Sequence, residues 1–457
     1  MAKRTDRGLE NREIVLDILM EVLERGSFVH VVQRQALDKY QYLEKADRAF
    51  ITRLTEGTLE YLIQIDFIIN QYSKTKTQKM KPVIRNLLRL SVYQILYMDR
   101  VPDSAVCNEA VKLAAKRRFE GLKGFVNGVL RTIAREKEKL TFPEPWLELS
   151  LPRWMYEMWA GKYGPDTAAA MGKAFLSDKK TTVRCNLRAL RREFPGISKE
   201  EAWERAAEDL REQGAEAASL GGGLFYLSGY DRLEDLSAFG KGWIQVQDAS
   251  SALVGELAAP EKGDYVIDVC AAPGGKSLHI ADLLEGTGTV EARDLTFQKA
   301  ELIEENIRRC GLENVRAVVM DALEEDGESV EKADILIADL PCSGLGILGK
   351  KPDIKQNMTP EKLGELAKLQ RQILSVVWRY VKPGGRLIYS TCTVDSQENE
   401  ENARWFAGSF PFEPVDLRPV LGERFEADSL RDGWIQFLPG VHPMDGFFIS
   451  VFTRKKA

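Results

Sequence analysis

Apolar residues recur at three- and four-residue spacing through most of the chain between residues 8 and 138, which is the period of amphipathic helices. A densely apolar run from Ile84 to Leu96 predicts a buried helix, and Pro102 follows its end. The pattern predicts an all-α bundle over residues 1–141. The first helical face is carried by Leu9, Ile14, Val15, Ile18, Leu19, Val22 and Leu23.

From residue 241 the pattern changes, because short β-prone runs alternate with helical patterns. Repeated β–α units indicate a doubly wound parallel sheet, so residues 241–457 are predicted to form one α/β domain. The last apolar run, 446–454, predicts a strand whose direction the spacing leaves open. The other predicted strands are 265–270, 288–294, 315–321, 333–339 and 385–392, with helices at 276–285, 297–310 and 360–380.

Between these two regions, prolines at 143–152 mark a linker, and residues 150–240 show a strand–helix–strand pattern. We interpret this stretch as a small α+β module. Arg184, Asn186 and Arg188 alternate with apolar residues and are therefore expected to share one sheet face. That face is either exposed to solvent, which the pattern favours slightly, or a contact for RNA.

The charge distribution separates the amino-terminal third from the rest. Residues 1–140 hold 26 Lys and Arg against 18 Asp and Glu, a net charge of +8, whereas the remaining residues hold 38 against 51, a net charge of −13. A basic domain on an acidic body indicates either docking on a polyanion or a solvated helical surface. Charge alone favours neither. Lys116, Arg117, Arg118 and Lys123 form a local basic cluster near Phe119.

Cysteine and histidine usage restricts the chemistry. The chain has no CxxC pair and only three scattered histidines, so neither a zinc site nor histidine-based catalysis is expected, and no metal is predicted. No apolar run is long enough to span a membrane, and the first residues lack a secretory pattern. We therefore expect a cytoplasmic protein with reduced thiols. The cysteines are Cys107, Cys185, Cys270, Cys310, Cys342 and Cys392.

A glycine-rich loop, Cys270-Ala-Ala-Pro-Gly-Gly-Lys276, follows the first predicted strand of the α/β domain. Small residues allow a ligand to approach the backbone at a helix start. Asp294 and Asp321 end the next two strands, where the first could bind ribose hydroxyls and the second an adenine edge or a helix cap. Because the loop is neither GxGxxG nor a phosphate loop, we expect S-adenosylmethionine rather than NAD or ATP.

Two further strands end in thiols. Ala333–Asp339 runs into Leu-Pro-Cys342, and 385–391 runs into Cys392. Ligands of a parallel sheet bind at the carboxyl ends of its strands, so both cysteines and Asp339 are expected at one pocket. Two thiols beside a carboxylate indicate covalent chemistry.

These motifs resemble the RNA cytosine-5 methyltransferases of the Nol/Nop/Sun type. The segments Tyr93-Gln-Ile-Leu-Tyr-Met and Gly124-Phe-Val-Asn-Gly-Val-Leu-Arg are similar to the NusB-like RNA-binding fold, which narrows the resemblance to the bacterial Sun/Fmu branch. Two departures are Lys350-Lys351, where Arg is frequent, and Thr-Cys-Thr in place of Thr-Cys-Ser. The matching pieces are Gln247-Asp-Ala-Ser-Ser, Asp268-Val-Cys-Ala-Ala-Pro-Gly-Gly-Lys276, Asp339-Leu-Pro-Cys342-Ser-Gly, Lys351-Pro-Asp-Ile-Lys, Ser390-Thr-Cys392-Thr and Asp445-Gly-Phe-Phe.

The resemblance implies a multidomain chain: a NusB-like bundle, a small α+β RNA-binding module and a Rossmann-like class I methyltransferase domain. It implies that Cys392 attacks C6 of a cytosine and that Cys342 assists breakdown of the adduct, although the reverse assignment stays open. Asp339 is expected near N3 of the base. The implied cofactor-binding residues are Cys270, Ala271, Ala272, Pro273, Gly274, Gly275, Lys276, Asp294, Asp321 and Asp339.

The implied substrate is small-subunit (16S) ribosomal RNA, bound by a monomer without membrane or metal partners. The alternatives are cytosine-5 methylation of tRNA, of large-subunit rRNA or of DNA, a nicotinamide oxidoreductase, and a non-catalytic NusB-like RNA-binding or assembly protein.

Overall fold

The computed structural model describes residues 2–40, 42–177 and 180–456, with the side chains of residues 2–6 left undescribed. The chain divides into two compact units. Unit 1 comprises Met1–Ser177 and Leu348–Met358, and unit 2 comprises Asp178–Ile347 and Thr359–Ala457. This division differs from the predicted three domains, because residues 150–177 fall in unit 1 and the rest of the predicted module falls in unit 2.

Unit 1 is helical, as the apolar period predicts. Its core is formed by the apolar faces of α1, α3, α4, α5, α6 and α7. The helices are α1 Ala2–Arg25, α2 Val29–Lys39, α3 Lys45–Glu60, α4 Leu62–Tyr72, α5 Pro82–Tyr97, α6 Asp103–Lys116, α7 Lys123–Glu136, α8 Pro145–Glu148, α9 Arg153–Tyr163 and α10 Pro165–Leu176.

The predicted basic cluster in unit 1 is largely neutralised by neighbouring carboxylates. Lys116 pairs with Glu13 at 2.6 Å, and Arg117 pairs with both Glu13 and Asp17. Lys123 approaches Glu120 at 3.7 Å. The net positive charge around residues 116–123 is therefore smaller on the folded surface than the sequence indicates.

The segment Leu348–Met358 belongs to unit 1 although it lies between two site motifs of the α/β region. It contains a short helix, Ile354–Asn357 (α17 in chain order), and the buried ammonium of Lys355 donates hydrogen bonds to the carbonyls of Glu60 and Ser150. The motif that starts at Lys351 therefore packs with the helices of unit 1, whereas the predicted α/β domain over 241–457 includes it.

Unit 2 contains two sheets. The smaller is antiparallel, in the order β2-β3-β1-β4. Its last strand lies beyond residue 240, where the predicted module ends. Its elements are β1 Thr181–Cys185, α11 Leu187–Glu193, α12 Lys199–Glu212, β2 Glu216–Gly221, β3 Leu224–Ser228, α13 Ser237–Gly240 and β4 Ile244–Val246.

The larger sheet has the order β10-β12-β9-β8-β5-β6-β7, with β11 paired to β12. Strands β9, β8, β5, β6 and β7 are parallel, as predicted, and β12 is antiparallel to β9. The elements are α14 Ala249–Ala258, β5 Tyr265–Asp268, α15 Gly275–Leu283, β6 Thr289–Asp294, α16 Phe297–Cys310, β7 Val315–Val319, β8 Ala333–Asp339, α18 Pro360–Val377, β9 Val381–Thr391, α19 Glu400–Ser409, β10 Phe412–Pro414, α20 Arg418–Leu421, β11 Trp434–Phe437 and β12 Phe447–Arg454.

Both faces of this sheet are buried, which explains the nearly continuous apolar sequence of its strands. In β8, Ile335 and Ile337 pack on the side of α14, α15 and α16. Leu336 and Ala338 point the other way, toward α18 and α19. The helices therefore cover both faces and leave the carboxyl ends of the strands for a ligand.

The predicted shared face of Arg184, Asn186 and Arg188 is wrong in both of its versions. Arg184 and Asn186 are buried, and Asn186 caps α11 instead of extending β1. Asp282, in the last turn of α15, accepts hydrogen bonds from Arg184 and from the backbone N–H groups of Leu187 and Arg188. The alternation thus reflects attachment of the small sheet to α15, not a solvent or RNA surface.

This attachment generates a stability prediction. Asp282→Ala removes the carboxylate and leaves the Arg184 charge buried, so the free energy of unfolding should fall by about 3–5 kcal/mol. Glu204→Ala, which breaks the exposed pair with Arg211, is the control and should cost less than about 1 kcal/mol. Urea unfolding measures both. Equal losses in the two variants would contradict a structural role for the buried pair.

Candidate active site

Both predicted thiols lie at adjacent strand ends. Strands β8 and β9 are parallel neighbours with Asp339 opposite Ser390. Cys342 follows the first strand by three residues, and Cys392 follows the second directly. Their Sγ atoms are 3.2 Å apart, so the structure brings together two thiols that are 50 residues apart in the chain.

Asp339 lies beside the thiols and is held on both oxygens. Its Oδ1 accepts a hydrogen bond from the Ser390 hydroxyl at 2.8 Å, and its Oδ2 accepts one from Lys276 Nζ at 2.6 Å. Burial lowers the pKa of Lys276, but the Asp339 carboxylate outweighs burial and raises it above the ordinary value. Lys276, predicted as a cofactor residue, is therefore an ammonium paired with Asp339, a carboxylate that lines the same cleft as Cys392.

The Cys270–Lys276 loop is fixed by backbone contacts to the next strand. Ala271 N–H donates to the carbonyl of Arg293, and Ala272 N–H donates to Asp294 Oδ2 at 2.9 Å. Gly274 has φ +103°, a conformation that favours glycine, and immediately precedes α15. Burial, and then nearby carboxylates, raise the pKa of Cys270, which leaves it a neutral packing thiol.

The two predicted nucleoside-binding carboxylates have structural partners. Asp294 is buried, ion-pairs with Lys299 at 2.9 Å and also accepts from Leu295 N–H. Asp321 accepts from Leu323 N–H at 2.9 Å, as a turn cap does. Their contacts to a ribose or an adenine stay predictions.

A cleft of about 280 Å³ joins the loop to Cys392 and is slightly smaller than most small-molecule sites. Gly274, Asp294, Asp321 and Cys342 do not line it. A larger cleft of about 460 Å³, between Ile95 and Glu138 of unit 1, contains none of the predicted site residues. The smaller cleft is lined by Val246, Gln247, Asp248, Ser250, Ser251, Asp268, Cys270, Ala271, Ala272, Pro273, Gly275, Lys276, Asp339, Ile347, Cys392, Asp445 and Phe447.

Close backbone approach explains the glycines near the thiols. Gly346 N–H donates to the Cys392 carbonyl at 3.0 Å, and Gly446 N–H donates to the Gly346 carbonyl at 2.9 Å. A Cβ on Gly346 would collide with the carbonyl oxygen of Gly446. Three chain segments that are distant in sequence therefore meet as bare backbone at the mouth of the cleft.

Comparison with known proteins agrees with this geometry. Residues 256–453 match the family model described as 16S rRNA methyltransferase RsmB/F. The "Probable ribosomal RNA small subunit methyltransferase B" of Bacillus subtilis (strain 168) is 36% identical, over 97% of this chain and 98% of that protein. The chain belongs to the RsmB/F methyltransferase family. Residues 9–135 match the NusB family model, which confirms the predicted amino-terminal resemblance.

Another relative and two solved structures match between 67% and 97% of this chain. The ribosomal RNA small subunit methyltransferase B of Shewanella oneidensis is 30% identical over 96% of this chain and 98% of that protein. The crystal structure of PH0851 has TM-score 0.80 at 25% identity, covering 97% of this chain and 98% of that one. NSun6 from Pyrococcus horikoshii with SFG shares the fold, with TM-score 0.57 at 21% identity, over 67% of this chain and 99% of that one.

The described residues contain neither a helix suited to span a membrane nor a side-chain cluster suited to a metal ion. None of the helices there is long and apolar enough to cross a membrane. No group of three or more His, Cys, Asp or Glu side chains in the same residues is arranged to hold a metal ion.

Asp268 is a functional candidate that sequence reasoning missed, although it is the first residue of the Asp268–Lys276 motif. It ends β5, is 1% exposed and lines the cleft. Its Oδ2 accepts from Ser277 at 2.6 Å, whereas its Oδ1 has no hydrogen-bond partner within the described residues. An orphaned carboxylate oxygen in a cleft fits a cationic ligand such as S-adenosylmethionine, which carries an ammonium and a sulfonium. The sequence carried two signals for this residue, its position at a strand end and its place at the start of the Asp268–Lys276 motif.

Burial raises the pKa of Asp268 from 3.8 to about 7, against the opposing effect of the Ser277 hydrogen bond. The folded protein thus keeps this proton between about pH 4 and pH 7, where the unfolded chain loses it. The contribution of protonated Asp268 to the free energy of unfolding is fully present below about pH 4 and is lost as the pH rises to about 7.

Asp268→Asn removes this titration. Because the wild type loses stability over that interval and the variant does not, the variant's free energy of unfolding should rise relative to wild type between pH 4.5 and 7.5. We expect a relative change of up to about 4 kcal/mol. Urea unfolding of the ligand-free protein at several pH values measures it. A difference between the two proteins that is constant with pH would contradict the raised pKa.

Proposed function

We propose that this protein transfers a methyl group from S-adenosylmethionine to C5 of a cytosine in 16S ribosomal RNA, through a covalent bond between a cysteine and C6. The observation that carries the proposal is the pair of thiols 3.2 Å apart beside the Lys276–Asp339 ion pair. The names of the family model and of the full-length relatives support the RNA substrate.

The chemistry explains the need for a thiol. C5 of cytosine is a poor nucleophile, and addition of a thiolate to C6 makes it enamine-like. S-adenosylmethionine supplies the methyl group as a sulfonium when it is bound. Asp339 lines the cleft, and its proposed role is to share a proton with N3 of the adduct. The C5 proton must then leave to a base, so that the S–C6 bond breaks and the thiolate departs.

The surroundings of the two thiols support distinct roles. Cys392 lines the cleft and lies close enough to Lys276 to interact with its ammonium, and a cation stabilises a thiolate. The hydrogen bond with Cys392, followed by burial and the charges of Glu398 and Asp339, raises the pKa of Cys342. A thiolate whose pKa is raised is a stronger base, which suits Cys342 to accept the C5 proton during release, so we assign the attack to Cys392.

The loop supports the cofactor proposal. The residues that would hold S-adenosylmethionine are the Cys270–Lys276 loop, Asp268 and Asp294. Asp321 would contact the adenine of the cofactor. The fit of a cation to the unpaired oxygen of Asp268 is the structural argument for it. Unit 1, which carries the NusB match, is the proposed RNA-binding part.

The cysteine assignment predicts opposite outcomes for two substitutions. Cys392→Ala should reduce methyl transfer to background and leave S-adenosylmethionine binding intact, because only the nucleophile is lost. Cys342→Ala should accumulate an RNA–protein adduct that survives denaturing electrophoresis, because release is impaired. Cys107→Ala, which removes a buried thiol of unit 1, is the matched control and should behave as wild type. An adduct in Cys392→Ala but not in Cys342→Ala would reverse the assignment.

The RNA target is tested by bisulfite mapping of total RNA. Cells that lack the protein should lose one 5-methylcytosine in 16S rRNA, and wild-type protein should restore it while Cys392→Ala does not. Loss of a tRNA or large-subunit rRNA position instead would replace the proposed substrate, and no loss in any RNA would overturn the proposal.

A further inference from the structure

Glu398 is a fully buried carboxylic acid in the turn between β9 and α19, with 0% of its surface exposed. A carboxylate in such a position is costly unless its oxygens are hydrogen-bonded. Its Oε2 accepts from the backbone N–H of Ser343 and from Gln370 Nε2, both at 2.9 Å. Its Oε1 accepts from the hydroxyl of Ser343.

These bonds connect Glu398 to both thiol segments. Ser343 directly follows Cys342, and its hydroxyl is 2.7 Å from the hydroxyl of Thr393, which directly follows Cys392. One carboxyl group therefore joins the residues behind both cysteines. We propose that Glu398 is a positioning residue for methyl transfer: its carboxylate bonds to Ser343, and through Ser343 and Thr393 it fixes the spacing of the two thiols.

The surrounding structure holds Glu398 itself in place. Gln370, from α18, also donates to the Pro341 carbonyl at 2.9 Å, just before Cys342. Tyr389, from β9, donates its hydroxyl to the Glu398 carbonyl, and Glu398 N–H donates to the Asp395 carboxylate at 3.2 Å. A buried polar network in which the members are paired is rigid, and this rigidity is what a fixed distance between two thiols requires.

The charge of Glu398 also bears on Cys342. Burial, and to a lesser degree Asp395, raise the pKa of Glu398 to about 7, while its bonds from Ser343 and Gln370 act in the opposite direction. Among the described residues, Glu398 also interacts electrostatically with Cys342 and Tyr389, and Arg371 of α18 acts on Tyr389. Since negative charge on Glu398 raises the pKa of Cys342, removing that charge should shift the pH dependence of adduct release to lower pH.

The test measures thiol spacing directly. Diamide takes two electrons and two protons from a pair of adjacent thiols and leaves one S–S bond, so the rate of intramolecular disulfide formation reports on the distance between Cys342 and Cys392. Glu398→Gln keeps the side-chain shape but gives the Oε2 position hydrogens that face the donors of Ser343 and Gln370. We expect disulfide formation and the methyl-transfer kcat each to fall by at least about tenfold, with little change in KM.

The matched control is Glu401→Gln, an exposed neighbour on α19, which should leave both rates unchanged. Glu398→Asp, which keeps the charge at a shorter reach, should recover part of the loss. Wild-type rates of disulfide formation and methyl transfer in Glu398→Gln would overturn the proposal. A raised KM with unchanged kcat and an unchanged rate of disulfide formation would overturn the proposal too. That result would indicate a defect in substrate binding and not in thiol spacing.

If Glu398→Gln does not fold, Ser343→Ala carries the test. It removes the hydroxyl that links Glu398 to Thr393 but keeps the backbone N–H, and it should also slow disulfide formation; a wild-type rate there would overturn the proposal. The inference rests on the proposed function for its kinetic part only. Wild-type protein that forms the disulfide rapidly but never methylates RNA would defeat the proposed function and leave the spacing role of Glu398 intact.

Discussion

The parallel pairing of β8 with β9 is the constraint on which the candidate active site depends. Because Asp339 lies opposite Ser390, the carboxyl ends of the two strands finish side by side, and the hydrogen bond between these side chains holds the register. A shift by one residue would turn every side chain of one strand to the other face of the sheet. The two thiols would then no longer lie next to each other, since Cys342 and Cys392 lie within three residues of the strand ends.

Strand pairing brings the thiols near each other, and the loops beyond the strands set their final distance. Gly346 and Gly446 allow three backbone segments to approach where any side chain would collide. On the opposite side, Glu398 connects the residues that follow both cysteines. These two features work differently. The glycines act through the absence of side-chain atoms, and Glu398 acts through hydrogen bonds to a buried carboxyl group. Both act on the backbone of the cysteine segments.

The sequence predicts the strands and helices of unit 2 closely because their apolar periods are local properties. It also predicts that Asp339, Cys342 and Cys392 meet, since strand ends of a parallel sheet share an edge. It could not reveal the roles of Asp282, whose partners lie 94 to 98 residues away, or of Glu398, whose link to the Cys342 segment spans 55 residues. The alternation of Arg184 and Asn186 was misleading for the same reason: exposure depends on what packs against a strand, and α15 does so here.

The segment Leu348–Met358 shows a further limit. Its motif occurs between two site motifs, and sequence order gave no reason to separate it from them. The buried ammonium of Lys355 finds its acceptors in carbonyls at a helix end and a turn of unit 1. Buried charges are retained only where such partners exist, so the segment belongs structurally to the unit that supplies them.

The charged groups of the cleft affect both the stability of the fold and the kind of ligand that the cleft can bind. Asp268 and Asp339 both line it, and the ammonium of Lys276 is bonded to Asp339. Asp268 is therefore left with one oxygen unpaired and a pKa near neutrality, which means that its charged form is poorly stabilised by the protein alone. A cationic ligand would supply the missing charge, and an anionic one would oppose two carboxylates. Asp268 makes the stability of the protein depend on pH, and together with Asp339 it favours a positively charged methyl donor over a phosphate-bearing cofactor. The loop sequence favours the same choice.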